Sequence, residues 1–234
     1  MSAAIVRTAQ VAWDNNSTTS PTLNLDCTGG NFVRVWVCFR NTATTTISSL
    51  TVGGNAATRI GSVFVSASPR QDTDAFRYSS PATGSQAIVV TSSAAIGGSG
   101  NDGFIIASLY SGVDVAGTPV GDDQHFEAIS PFSALSTTVT GVTANDVVDD
   151  VAFVNGSTSS LTPGGSQTAT TLVSGGTVAD GRSSSMTGSG SVNPTWTYGP
   201  SATYNAVQRA IVIKGTSGST SAKLLSMINN QAGF

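Results

Sequence analysis

Short apolar runs that alternate with polar residues, each closed by Gly, Ser, Thr, Asn or Pro, recur along most of this chain. A period of two is the spacing of a β-strand, and turn residues at such short intervals leave little room for long helices. The strongest run is Phe32-Val33-Arg34-Val35-Trp36-Val37-Cys38-Phe39. As a strand it sends Val33, Val35, Val37 and Phe39 to one side and Phe32, Arg34, Trp36 and Cys38 to the other. Phe104-Ile105-Ile106-Ala107-Ser108-Leu109-Tyr110 is almost continuously apolar, as a strand buried on both faces is expected to be. Residues 47–52 and 57–65 flank Gly53-Gly54-Asn55 and read as a hairpin. Further runs at 22–25, 74–78, 86–91, 147–154, 177–186, 195–198 and 206–214 bring the reading to about ten strands. The expected fold is all-β: a single antiparallel β-sandwich, jelly-roll or immunoglobulin-like, over residues 1–214. Val33, Val35, Val37, Phe39, Ile105 and Leu109 are its expected core.

The last twenty residues differ in kind. After the strand-like Ala210-Ile211-Val212-Ile213-Lys214, a Gly/Ser/Thr run over 215–221 has the composition of a linker. It leads to Ala222-Lys223-Leu224-Leu225-Ser226-Met227-Ile228, where Leu224, Leu225, Met227 and Ile228 share one side of a helix. A helix this short does not hold together alone in water, so it needs a surface to lie against. Residues 215–234 are therefore expected to be a linker and an apolar docking tail, with those four side chains as the contact.

Composition narrows the function. Charged residues make up 10% of the chain, against roughly 25% in a typical soluble domain. Such a surface suits extended contact with neighbours, because few charges must be desolvated. The net charge of −3 argues against nucleic-acid binding, which calls for a basic patch. No run approaches the apolar length of a membrane span, and Met1-Ser2-Ala3-Ala4-Ile5-Val6-Arg7 lacks the character of a signal peptide. Synthesis in the cytoplasm is expected, which leaves Cys27 and Cys38 as two small buried thiols with no bridge between them.

No catalytic set stands out. His125 is the only histidine, within Gly121-Asp122-Asp123-Gln124-His125-Phe126-Glu127, and its spacing fits no zinc or EF-hand motif. The stretch reads as a solvated acidic loop inside a long connection over 111–136. Asp146 reads as the end of a turn, and Asp149-Asp150 as a pair just ahead of a strand. The nucleophile elbow Gly-x-Ser-x-Gly is absent. Neither a cofactor nor a metal is expected. Trp36 belongs in the core, whereas Trp196 and Tyr198, two residues apart on one face, are the candidate glycan contacts.

Leu50-Thr51-Val52-Gly53-Gly54-Asn55-Ala56-Ala57-Thr58 resembles a hairpin of β-sandwich proteins from tailed bacteriophages and bacterial surfaces, as does Pro81-Ala82-Thr83-Gly84-Ser85-Gln86-Ala87-Ile88-Val89-Val90. Leu109-Tyr110-Ser111-Gly112-Val113-Asp114 is similar to the corner that follows a buried strand in that group. Trp196 with the strand over 206–214 is similar to its closing hairpin. The likeness runs over residues 32–214 and implies a virion-associated or carbohydrate-facing sandwich. The expected function is a non-enzymatic structural component of a tailed-phage virion: a capsid decoration (cement) protein that binds and stabilises the shell. Its expected partners are the major capsid protein or neighbouring copies of itself, as a homo-oligomer in the particle. The alternative is a carbohydrate- or receptor-binding module of a tail or fibre.

Overall fold

The alternation read from the sequence becomes strands throughout a computed structural model that describes residues 1–40, 45–65, 71–97, 102–128, 132–155, 161–175, 179–202 and 205–216. No helix occurs among them. The N-terminal half holds β1 (Ala4–Trp13), β2 (Asn15–Thr19), β3 (Leu23–Asp26), β4 (Phe32–Arg40), β5 (Ile47–Val52), β6 (Asn55–Ala56), β7 (Thr58–Arg59), β8 (Phe64–Val65), β9 (Gln71–Ser79), β10 (Ser85–Gly97) and β11 (Gly103–Ser111). The C-terminal half holds β12 (Val120–Ala128), β13 (Phe132–Ser136), β14 (Val139–Val142), β15 (Val147–Asn155), β16 (Leu161–Pro163), β17 (Thr168–Ala169), β18 (Val173–Gly175), β19 (Ala179–Met186), β20 (Gly190–Val192), β21 (Thr195–Ala202) and β22 (Ala206–Ile213).

Every strand pair is antiparallel. The strands make several sheets instead of the single two-sheet sandwich expected. An inner sheet of the N-terminal half runs β1-β11-β4-β9-β7, with β8 also on β9; an outer sheet of that half is built on β10, which pairs β2, β3 and β5. The C-terminal half has an inner sheet β12-β22-β15-β19-β17, with β18 on β19, and two small outer sheets, β13-β21-β16 and β14-β20. The two inner sheets face each other across one core that joins Phe32, Trp36 and Phe104 to Val151, Phe153 and Ile211. Val33, Val35, Val37, Phe39, Ile105 and Leu109 lie on the other side of β4 and β11, packed against Leu50, Val52, Ile88 and Val90 of the outer sheet. On the far side of the stack, Trp196, Tyr198 and Leu161 cover Ala152 and Val154.

The physical reason for four layers lies in the inner strands. β4 is buried at every position but its last, and β15 at every position. A two-sheet sandwich leaves each sheet one wet face, which these strands do not have. The layering also explains part of the low charge content, because the inner sheets offer few solvated positions. Cys27 and Cys38 are free and buried, and they belong to cores on opposite sides of the inner sheet.

The two halves repeat one wiring. In each, the first long strand pairs with the last, the last with the first buried strand, and that strand with the next: β1-β11-β4-β9 and β12-β22-β15-β19. Register agrees as well as order. Phe32 opens β4 opposite Tyr110, and Val147 opens β15 opposite Ile213. Both first strands carry an irregularity near their start, between Ile5 and Arg7 and between Val120 and Asp123. Two residues beyond Tyr110 and Ile213 stand Gly112 and Gly215. A Cβ at Gly112 would lie 2.2 Å from the Ser2 carbonyl oxygen, and one at Gly215 would lie 2.0 Å from that of Asn145. Close backbone approach keeps both positions glycine. Leu50-Thr51-Val52-Gly53-Gly54 follows β4 as Leu161-Thr162-Pro163-Gly164-Gly165 follows β15, each leucine buried in its own core.

Candidate functional site

Of the polar groups singled out in the sequence, Asp149 and Asp150 lie in the buried middle of the stack. Asp149 and Asp150 do not precede a strand; they sit inside β15, fully covered. Asp149 faces the inner N-terminal sheet. Arg34 reaches it through Nε at 2.6 Å and Nη2 at 2.5 Å, Trp36 donates its indole N–H at 3.1 Å, and the Tyr110 hydroxyl donates to Oδ2. Arg34 also donates to the Ile106 carbonyl and to Ser108 Oγ. Burial pushes the Asp149 carboxyl up, against the opposing pull of Arg34. Two guanidiniums lie over the Trp36 ring, Arg34 at 5.0 Å and Arg209 at 5.9 Å from its centroid.

Asp150 points the other way, toward the outer sheets. Ser184 Oγ, Trp196 Nε1 and Gln208 Nε2 all donate to it, and none of the three carries a charge. Desolvation dominates, and its pKa is pushed up to about 6 despite those donors. Gln167 extends the network: it donates to Ser184 Oγ at 2.7 Å and accepts from the Thr195 N–H at 2.8 Å. Trp196 therefore links the small outer sheet to the inner one. It is 0% exposed and Tyr198 is 5% exposed, so the two candidate glycan rings are core residues, not a surface. The shared face read from their spacing is correct, but it is turned inward.

The expected acidic loop is the strand β12. Being an edge strand with one open side, it lacks the apolar alternation that marks strands in sequence. His125 is exposed and lies over Phe64, ring centroids 4.0 Å apart. Asp122 accepts from Thr140 and Gln124; Asp123 holds Arg209 at 2.8 and 2.6 Å. Among the described residues, no three His, Cys, Asp or Glu side chains come together as a metal site.

Asp146 ends a turn and closes the body of the protein. It accepts from the Gly215 N–H at 3.0 Å, the Thr143 N–H at 2.8 Å and the Lys214 ammonium at 2.7 Å. Burial works against its ionisation, but those donors outweigh it and hold the carboxyl below its ordinary range. Beyond Lys214, Gly215 bridges to Val113, and Thr216 donates its N–H to the Gly112 carbonyl. The Met1 ammonium donates to the Thr216 carbonyl at 2.8 Å, and Thr216 Oγ1 donates back to the Met1 carbonyl at 2.9 Å. Leu224, Leu225, Met227 and Ile228, the candidate docking side chains, lie outside the described residues.

Reading the sequence missed the Arg34–Asp149 and Asp150–Trp196 contacts. The available signal was a charge in the middle of an apolar strand: Arg34 within Phe32–Phe39, and the two aspartates within Val147–Val154. A charge so placed needs a partner from a facing layer. Compared with protein-family models, with curated proteins and with solved structures, the chain matches none of them.

Proposed function

We propose that this chain is a non-enzymatic structural subunit of a tailed-phage particle, a capsid decoration protein whose β-body is held to the shell by the apolar tail. The observation that carries the reading is the closure at Thr216. The last strand, β22, ends at Ile213, and Met1, Gly112, Val113 and Asp146 fasten the next three residues. The fastening of the body thus runs through Thr216, and on this reading Leu224, Leu225, Met227 and Ile228 are the contact with a neighbouring subunit, either the major capsid protein or another copy. Burying four such side chains contributes roughly 1.5–3 kcal/mol each before ordering costs. Repeated over many copies, contacts of that size give high overall avidity. The carbohydrate reading needs Trp196 and Tyr198 at the surface, and both are buried.

The test is co-sedimentation with phage capsids that lack the protein, comparing the full chain with a chain ending at Thr216. The full chain should pellet with the capsids and the shortened one should stay in the supernatant, with the same melting temperature for both. Equal pelleting of the two would refute tail docking.

A further inference from the structure

We infer that the two halves are copies of one folding unit, related by an approximate two-fold axis through the Arg34–Asp149 contact, and that this pair makes each half bind the other half and not its own kind. Counting inward from Phe32, opposite Tyr110, and from Val147, opposite Ile213, brings Arg34 and Asp149 to the same position of the shared wiring. Residues at equivalent positions touch each other only beside the axis that relates them. Arg34 and Asp149 do touch, and both are 0% exposed.

Contacts away from the axis come in matching pairs, as a two-fold requires. Gln10 of β1 stands opposite Ile106, and His125 of β12 stands opposite Arg209, the matching position. Gln10 reaches across to Thr171 Oγ1 and the Leu172 carbonyl of the C-terminal half. His125 reaches across to the Phe64 ring of the N-terminal half. Phe64, opposite Thr73, matches Val173, opposite Gly181 and next to Leu172, so the chemistry has diverged while the placement is kept to within a residue or two.

A surface that joins two copies of one unit is close to self-complementary, so the N-terminal half of one chain presents nearly the right shape to the N-terminal half of another. In that pairing Arg34 would meet Arg34, and in the other self-pairing Asp149 would meet Asp149. Like charges confined together without a counter-ion are strongly unfavourable. Cross-pairing alone brings a cation to an anion, just as a buried polar residue fixes partner choice in a coiled coil. The interaction surface is the face of each inner sheet, and the partner it selects is the other version of the same unit.

The test uses the full chain with a protease site placed between the exposed Ala116 and Gly117, cut, unfolded in denaturant and refolded, with complexes weighed by native mass spectrometry. With native charges, the two fragments should recover only as a one-to-one cross-pair. Arg34→Asn combined with Asp149→Asn removes the charges while leaving an acceptor for Trp36 and Tyr110. In that variant, self-pairs of each fragment should appear beside cross-pairs, at least tenfold more abundant than with native charges. An unchanged distribution would overturn the inference, as would abundant self-pairs with native charges. Failure of the double variant to form any pair would also overturn it, because the ion pair would then serve folding itself instead of choice.

Discussion

Asp149 and Asp150 are consecutive in β15, and their carboxylates end in different layers of the stack, one against the Arg34 guanidinium and the other against uncharged donors. The pleat of a strand makes this unavoidable, since neighbouring side chains point to opposite faces. Two residues alike in sequence thus become different groups. Asp149 is half of an ion pair between the halves, and Asp150 is a buried carboxyl that favours its proton.

Asp150 should give the protein a stability that falls as pH rises. Its folded pKa, about 6, lies above the unfolded value near 3.9, so the folded state binds the proton more tightly. That contribution is fully present below about pH 4 and is lost as pH rises through about 6, a change on the order of 3 kcal/mol. Asp74 and Asp149, also raised, act in the same direction, whereas the lowered Asp146 and Asp122 act oppositely in more acid solution. Asp150→Asn isolates the one group, because asparagine can accept from Trp196 and Gln208 and donate to Ser184. Urea unfolding should show the variant more stable than the native protein at pH 7.5, with the difference shrinking by pH 5. An equal difference at the two pH values would rule the assignment out.

Trp196→Ala should act on stability alone. The ring is fully buried and its N–H is one of three donors to Asp150, so truncation leaves a cavity and removes one of those donors. Loss of a buried tryptophan costs about 3–5 kcal/mol, a large share of a total near 5–15. Thermal unfolding should register a lowered melting temperature. A variant with unaltered melting would mean that the small outer sheet is not held through this residue.

Residues on strongly alternating strands were legible in the sequence. Val33, Val35, Val37, Phe39, Ile105 and Leu109 form one side of one core, as their spacing implies, and Gly53 and Gly54 make a turn with φ of +58° and +80°. The expected second strand of that hairpin over 57–65 is not formed: after the turn β5 pairs only Asn55–Ala56, and Thr58–Arg59 and Phe64–Val65 cross to pair β9 in the inner sheet. Alternation says that a side chain faces one way or the other; it does not say what covers it. A strand between two sheets and a strand in the middle of a thin sandwich can both read as apolar runs, which is why the layer count was out of reach. The repeat was hidden for another reason. Beyond Leu50-Thr51 and Leu161-Thr162 with their glycine pairs, the halves agree in hydrogen-bond register more than in residue identity: Arg34 matches Asp149, and Trp36 matches Val151.

Two truncations should separate the closure from the tail. Ending the chain after Thr216 keeps the contacts of Gly215 and Thr216 with Met1, Gly112, Val113 and Asp146 and should leave the unfolding midpoint in urea unchanged. Ending it after Lys214 removes the bridge to Val113, the Gly215 bond to Asp146 and the Thr216 bonds to Met1 and Gly112. At about 0.5–1.5 kcal/mol per net hydrogen bond, less for exposed ones, the loss should be roughly 1–3 kcal/mol. Identical midpoints for the two truncations would show that the closure contributes nothing.

The place of β22 in its sheet has a mechanical consequence. It lies between β12 and β15, bonded on both sides, and the polypeptide beyond Thr216 continues directly from it. Ladder hydrogen bonds run across the strands. Tension applied past Thr216 and along the strand therefore loads two ladders at once in shear, whereas tension on an edge strand can peel one bond at a time. A tether attached there is rooted in the middle of a sheet, where it resists being pulled out most strongly.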